Sequence, residues 1–200
     1  TVEVRALMAA AARLSPPLRA ASFTTLIGLM AATGLRTMEA VRVDRDDVDL
    51  TERRLLVRRT KYGKTRRIPL HPTTSAALRD YARRRDRLCP HPASDSFLIS
   101  ASGQRLTAVG VTFQHLLVDV GITVPPGRRA PRLHDLRHSF TVATLRDWHA
   151  EGVDVQRHLP ILSTYLGHVN PAATYWYLQA VPELMAVLAD RLPDPTGDRR

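Results

Sequence analysis

The chain has 200 residues, 29 of them lysine or arginine against 19 aspartate or glutamate, giving a formal charge of +10 and a pI of about 10.9. Hydrophobic residues make up 44%, enough to fold around a core, and the surplus of positive charge points to a polyanionic partner, nucleic acid or an anionic membrane surface. No apolar run is long enough to span a bilayer, no secretory leader pattern is seen, and the single cysteine, Cys89, excludes an internal disulfide or a cysteine-based zinc cluster. The expectation is a soluble cytoplasmic protein.

Residues 2–14 repeat apolar groups at helical spacing and stop at Pro16-Pro17. Pro17 suits the first turn of a second helix, which runs through Phe23, Leu26, Ile27 and Met30 to Gly34. Thr37 is the candidate N-cap of a short third helix. Between 41 and 70 the pattern changes to strand-like VDL, RRLLVRR and RRIPL, with YGK as the turn joining the last two. A basic helix follows over 73–88, then a loop over 89–106 with strand-like FLIS, and a helix over 107–119. GITVPPGRRAPR (121–132) reads as an exposed connection. Helices are predicted at 133–150, 154–166, 171–180 and 182–192, the last amphipathic, with PDPTGDRR as a disordered tail. The fold expected is mainly α with a small three-stranded antiparallel β-sheet (α+β), one domain over 1–192 with residues 193–200 as the tail.

Of the 29 basic residues only Lys61 and Lys64 are lysines, and both sit in the predicted hairpin. Arginine stays charged and forks phosphate oxygens, whereas lysine can transfer a proton. The pairing suggests that a lysine is needed there, although GC-rich coding alone would also leave few lysines. In LHDLRHSFTVATL (133–145), His134, Arg137, His138 and Thr141 share one helical face, with Leu133, Leu136, Phe140 and Ala143 on the other. Taken alone, that polar face reads as solvated. In ATGLRTMEA (32–40), Arg36 and Glu39 suit an ion pair at a helix start, by itself a surface pair. In LGHVNPAATYWYL (166–178), Gly167 ends a helix, His168 lies in the junction and Asn170-Pro171 starts the next helix. Tyr175 and Tyr177 there point in different directions, so one of them packs. DRDDVDL (44–50) lacks the glycine and distal glutamate of a calcium loop and reads as a turn into a strand, so no metal is expected.

Taken in order, TGLRxxE, a lysine hairpin ending in R-x-I-P-L, H-D-L-R-H, L-G-H and T-x-x-Y resemble the tyrosine recombinase (phage integrase) family, specifically its C-terminal catalytic domain, over roughly residues 1–185. The resemblance implies a tyrosine recombinase catalytic-domain-like, DNA breaking-rejoining fold. It implies Arg36 and Arg137 as the two phosphate-binding arginines, Glu39 as support and Lys61 as the hairpin lysine, with Lys64 as the alternative. His134 belongs to the H-x-x-R box, His168 to L-G-H, and Tyr177, nine residues on, matches the nucleophile. Lys64, Arg66, Arg67, Arg128, Arg129, Arg132 and His138 are expected to contact DNA. The segment from Gly152 to His168 is about one helical turn longer than the family pattern and contains Pro160. The family's N-terminal DNA-clamping domain is expected to be absent from this chain.

The reaction this implies is site-specific cleavage and rejoining of double-stranded DNA through a 3′-phosphotyrosine, with no metal, ATP or other cofactor. A phenol with a pKa of about 10 needs the two guanidiniums to stabilise its anion and the transition state, and a lysine can protonate the departing 5′-oxygen. The expected partner is DNA, on which the full-length protein assembles as a tetramer, with nucleoid association and no membrane. The competing readings are a non-catalytic DNA-binding module and a type IB topoisomerase-like relaxase.

Overall fold

A computed structural model describes residues 2–58, 65–167 and 177 of the chain. It falls into two compact units, Thr1–Phe140 and Thr141–Arg200.

In the first unit, α1 (Val2–Ala11) and α2 (Pro17–Thr33) are followed by the short α3 (Thr37–Val41). Pro17 occupies the first turn of α2 as its fixed φ predicts, and Gly34 closes the helix in the left-handed region at φ 61. α2 packs between α1 and α4 (Pro72–Leu88), with Leu18, Phe23, Leu26, Ile27, Leu29 and Met30 all buried. The N-cap of α3 is Arg36, one residue before the expected Thr37. The cause is Glu39, whose carboxylate accepts the Arg36 backbone N–H at 3.1 Å and so fixes where the helix starts.

A 3₁₀ turn, Arg45–Asp47, leads from α3 into the sheet, where β1 (Val48–Asp49), β2 (Arg54–Val57) and β3 (Arg66–Pro69) run antiparallel in that order. Leu55 faces Ile68 and Val57 faces Arg66 across β2 and β3. Leu55, Val57 and Ile68 are buried. Strand alternation therefore puts Arg66 on the buried face and Arg67 on the exposed one. The predicted turn at YGK lies outside the described residues.

FLIS does not add a fourth strand; only an isolated bridge joins Ile99 to Arg105. Its remaining backbone groups go partly to single main-chain bonds, Phe97 N–H to the Val43 carbonyl at 2.9 Å and Ser100 N–H to the Gln104 carbonyl at 2.7 Å, and otherwise to side chains. Buried Arg85 donates to the Phe97 carbonyl at 2.9 Å while its guanidinium lies 5.3 Å from the Phe97 ring centre. The Ile99 N–H donates to the Tyr81 hydroxyl at 3.2 Å, and Ser22 donates to the Ile99 carbonyl at 2.6 Å. With those groups occupied, the segment pairs only through isolated bridges and not through a continuous ladder. α5 (Val109–Asp119) follows, and the irregular 121–132 segment is tied back where the Gln114 amide donates to the Pro131 carbonyl at 2.7 Å.

α6 (Asp135–Ala150) starts in the first unit and continues into the second, which also holds α7 (Val155–Leu166). Asp154 caps α7 by accepting from the N–H groups of Gln156 and Arg157 at 3.1 and 3.3 Å. Val155, Leu159, Leu162 and Leu166 make its buried stripe. Pro160 is carried inside α7 on the exposed side, so this helix holds the proline without breaking. The helices predicted at 171–180 and 182–192 and the predicted tail lie outside the described residues, apart from Tyr177.

Arg85 is the buried charge on which the 97–99 segment hangs, with Asp86 closing the pair at 2.8 Å. Arg85→Ala removes the ring stacking and orphans the Phe97 carbonyl, so it should lower unfolding free energy by about 3 kcal/mol in urea titration. Arg85→Met keeps the packing and should cost less than half of that.

Candidate functional site

The site is built on the turn between α2 and α3. The Gly34 N–H donates to the Met30 carbonyl at 2.9 Å, and Leu35 is fully buried, so the next side chain, Arg36, is set at the rim. Arg36 Nη1 donates to Glu39 Oε1 at 2.8 Å. From the sheet, Arg66 adds a two-pronged pair, Nη1 to Oε1 at 3.1 Å and Nη2 to Oε2 at 2.8 Å. Glu39 is therefore no surface pair: its side chain is only 8% exposed, against 31% for Arg36 and 14% for Arg66. Burial alone would raise its pKa, but the hydrogen bonds and charge of Arg66, helped by the Arg36 N–H and guanidinium, outweigh this and hold it at about 2.

Arg137 arrives from α6, 103 residues further on than Gly34. Its Nη1 donates to the Gly34 carbonyl at 2.9 Å, two residues before Arg36, and its side chain is 1% exposed. The polar face of α6 is thus not the solvated face that its sequence suggests: Arg137 and Thr141 are buried, while Ala143, expected in the core, is exposed. The start of α6 is fixed by Asp135, whose carboxylate accepts the Arg132 N–H at 2.7 Å. Just before the helix, His134 lies half-buried and edge-on to His138, with ring centres 5.4 Å apart. Burial first, then the charges of His138 and Arg137, push the His134 pKa below the usual histidine value. A neutral imidazole that can accept or share a proton results.

The structure thus brings Arg36, Glu39, Arg66 and Arg137 to one turn, with His134 and His138 at the head of α6. Arg67, Arg128, Arg129 and Arg132 are exposed, and His138 lies 4.0 Å from Asp135. Tyr177 has helical backbone and is buried. Lys61, Lys64 and His168 lie outside the described residues. Two features escape sequence reasoning. Arg66 faces inward to Glu39, a direction carried by its period-two relation to Ile68. Arg58, at the other foot of the hairpin, pairs with the buried Asp47, and nothing in their 11-residue separation signals this. Among the described residues, no group of three or more His, Cys, Asp or Glu is placed to hold a metal ion, and no helix is long and apolar enough to cross a membrane.

The helices and the three-stranded antiparallel sheet fall in the fold class of recombinase and integrase catalytic domains, as two superpositions show. The catalytic domain of bacteriophage HP1 integrase superposes with a TM-score of 0.59 at 20% identity, covering 100% of this chain and 96% of that one. The recombinase XerH, solved on its difH substrate after cleavage, superposes with a TM-score of 0.72 at 19% identity, covering 96% of this chain and 52% of its own. The chain belongs to the phage integrase family, whose model matches residues 1–183. Protein y4rE of Sinorhizobium fredii, by name a candidate integrase/recombinase, is 46% identical over 191 residues, 94% of this chain. This chain spans 61% of the length of y4rE.

Two measurements check the electrostatics. Because the Glu39 pKa falls from 4.5 to about 2 on folding, its ionised form stabilises the fold on the order of 3 kcal/mol above pH of about 4.5. That stability is lost as pH falls through 2. The stability gap between the wild type and Glu39→Gln should therefore be full at neutral pH and shrink below pH of about 4 in urea titrations. By NMR, the His134 ring should titrate below the ordinary histidine range, and His138→Ala should move it back toward that range.

Proposed function

We propose that this chain is the catalytic domain of a site-specific DNA recombinase that cuts and rejoins strands through a phosphotyrosine. The observation that carries the reading is the Arg137 guanidinium bound to the Gly34 carbonyl, which brings the second arginine to the turn that carries the first. In this reading Arg36 and Arg137 bind the non-bridging oxygens of the scissile phosphate and stabilise the charge that grows in the transition state. The Tyr177 oxygen attacks phosphorus, and its proton passes to His168 or to the neutral His134. The P–O bond to the 5′-oxygen breaks as Lys61 delivers a proton to it. The product is a 3′-phosphotyrosine and a free 5′-hydroxyl, and attack by a second 5′-hydroxyl reverses the step. One phosphodiester is exchanged for another, so the cycle calls for no ATP. Arg67, Lys64, Arg128, Arg129, Arg132 and His138 contact the DNA around the cut. Glu39 supports Arg36, and the full-length protein works as a tetramer on DNA in the cytoplasm. The catalytic unit spans 1–192.

The test is covalent trapping on nicked duplexes drawn from the DNA flanking the coding region. The wild type should form an SDS-stable DNA adduct, and Tyr177→Phe none. Arg36→Ala and Arg137→Ala should each slow adduct formation by about 100-fold or more with little change in DNA affinity. An adduct that persists in Tyr177→Phe overturns the nucleophile assignment. Salt-sensitive DNA binding with no adduct supports a binding module, and site-independent relaxation of supercoils supports a relaxase.

A further inference from the structure

The arginines that close strands β2 and β3, on either side of the stretch of sequence holding both lysines, are tied to acidic residues of the α3–β1 segment. On one side Arg58 pairs with buried Asp47, and on the other Arg66 grips Glu39. Glu39 is shared. Its Oε1 accepts from Arg36 Nη1 at 2.8 Å and Arg66 Nη1 at 3.1 Å. Its Oε2 accepts from Arg66 Nη2 at 2.8 Å and the Arg36 backbone N–H at 3.1 Å. Each oxygen thus holds one bond from each arginine. The two-pronged grip belongs to Arg66, the more buried of the two, and Arg36 gives only a single side-chain nitrogen.

We infer that Arg66 is a positioning residue: through Glu39 it fixes the start of α3 to strand β3, and it occupies the carboxylate so that Arg36 is not neutralised by it. The chemistry supports both halves. A carboxylate facing one guanidinium closes a bidentate pair with it, which cancels the charge and points the fork away from a phosphate. Here the second guanidinium takes that geometry. One negative charge is then shared between two positive ones, so Glu39 by itself does not neutralise Arg36. The strand register explains why Arg66 can do this and Arg67 cannot, since Arg66 shares the buried face with Ile68 while Arg67 faces out.

The catalytic consequence rests on the recombinase reading; the mechanical coupling does not, so the test has two arms. In the first, hydrogen exchange is followed in the full 200-residue chain. Arg66→Gln should speed exchange of the amides of 36–41 and 66–68 together, by about tenfold, with α1, α2 and α4 unchanged. Arg66→Lys, which keeps the charge and loses the fork, should fall between the two, and it serves where Arg66→Gln is poorly folded. Exchange at 36–41 equal to wild type in both variants overturns the coupling, whatever the chain does to DNA. In the second arm, on the nicked duplex where wild type forms its adduct, Arg66→Gln should slow adduct formation by about 10- to 100-fold at unchanged DNA affinity. Arg66→Lys should recover part of the rate, and Arg36→Ala/Arg66→Gln should be no slower than Arg36→Ala alone. Multiplicative losses in the double variant show that Arg66 acts independently of Arg36 and overturn the inference. A wild-type chain that forms no adduct sinks the recombinase reading, and the exchange arm still decides the coupling.

Discussion

A carboxylate removed from water costs several kcal/mol unless it is fully met by donors, and Glu39 is met by four. Those four bonds come from two places, the N-cap of α3 and the last strand of the sheet. Satisfying one buried charge therefore sets the distance between them. An exposed ion pair contributes at most about 1 kcal/mol, whereas this carboxylate is only 8% exposed and meets two arginines. Burial and the second arginine separate a structural anchor from the surface pair that its i, i+3 spacing suggests.

The second constraint is a carbonyl rather than a carboxylate. Gly34 stands at φ 61, a conformation that glycine adopts without strain, and its oxygen is the acceptor for Arg137. The helix stop, the placement of Arg36 and the seat of Arg137 thus depend on one residue. A guanidinium has five donors, and one of those of Arg137 is spent on this main-chain acceptor. Arg36 and Arg137 are in this way oriented by different devices, a shared carboxylate and a backbone carbonyl.

Much of this was legible in the sequence, because periodicity and punctuation act locally. Pro17 and Gly34 bound α2 as they should, and the three strands fall within VDL, RRLLVRR and RRIPL. What was not legible depended on distant partners. FLIS has the composition of a strand, but Tyr81, Ser22 and Arg85 reach its backbone first. Thr37 is the better capping residue by type, yet the Glu39 side chain moves the cap to Arg36. Thr141 and Ala143 exchange the burial that a simple two-faced helix would give them. The motifs named Arg36, Glu39 and Arg137 but could not say that Arg66, read as one more DNA-facing cation, closes the cluster.

The same reasoning changes what the charge of +10 means. Arginines are counted alike in a sequence, but their neighbours assign them different work. Arg85 is buried against Asp86 and two aromatic rings, Arg58 serves Asp47, Arg105 serves Asp44, and Arg66 serves Glu39. Each of these charges is already paired within the fold. A polyelectrolyte slope reports only phosphates newly neutralised, so under the proposed function exposed cations such as Arg67, Arg128 and Arg129 are the ones that would set it. The excess of arginine over lysine then has two physical causes in one chain. The planar fork suits a phosphate, and it suits a buried carboxylate or carbonyl equally well; the strand register and the helix caps decide which of the two each arginine meets.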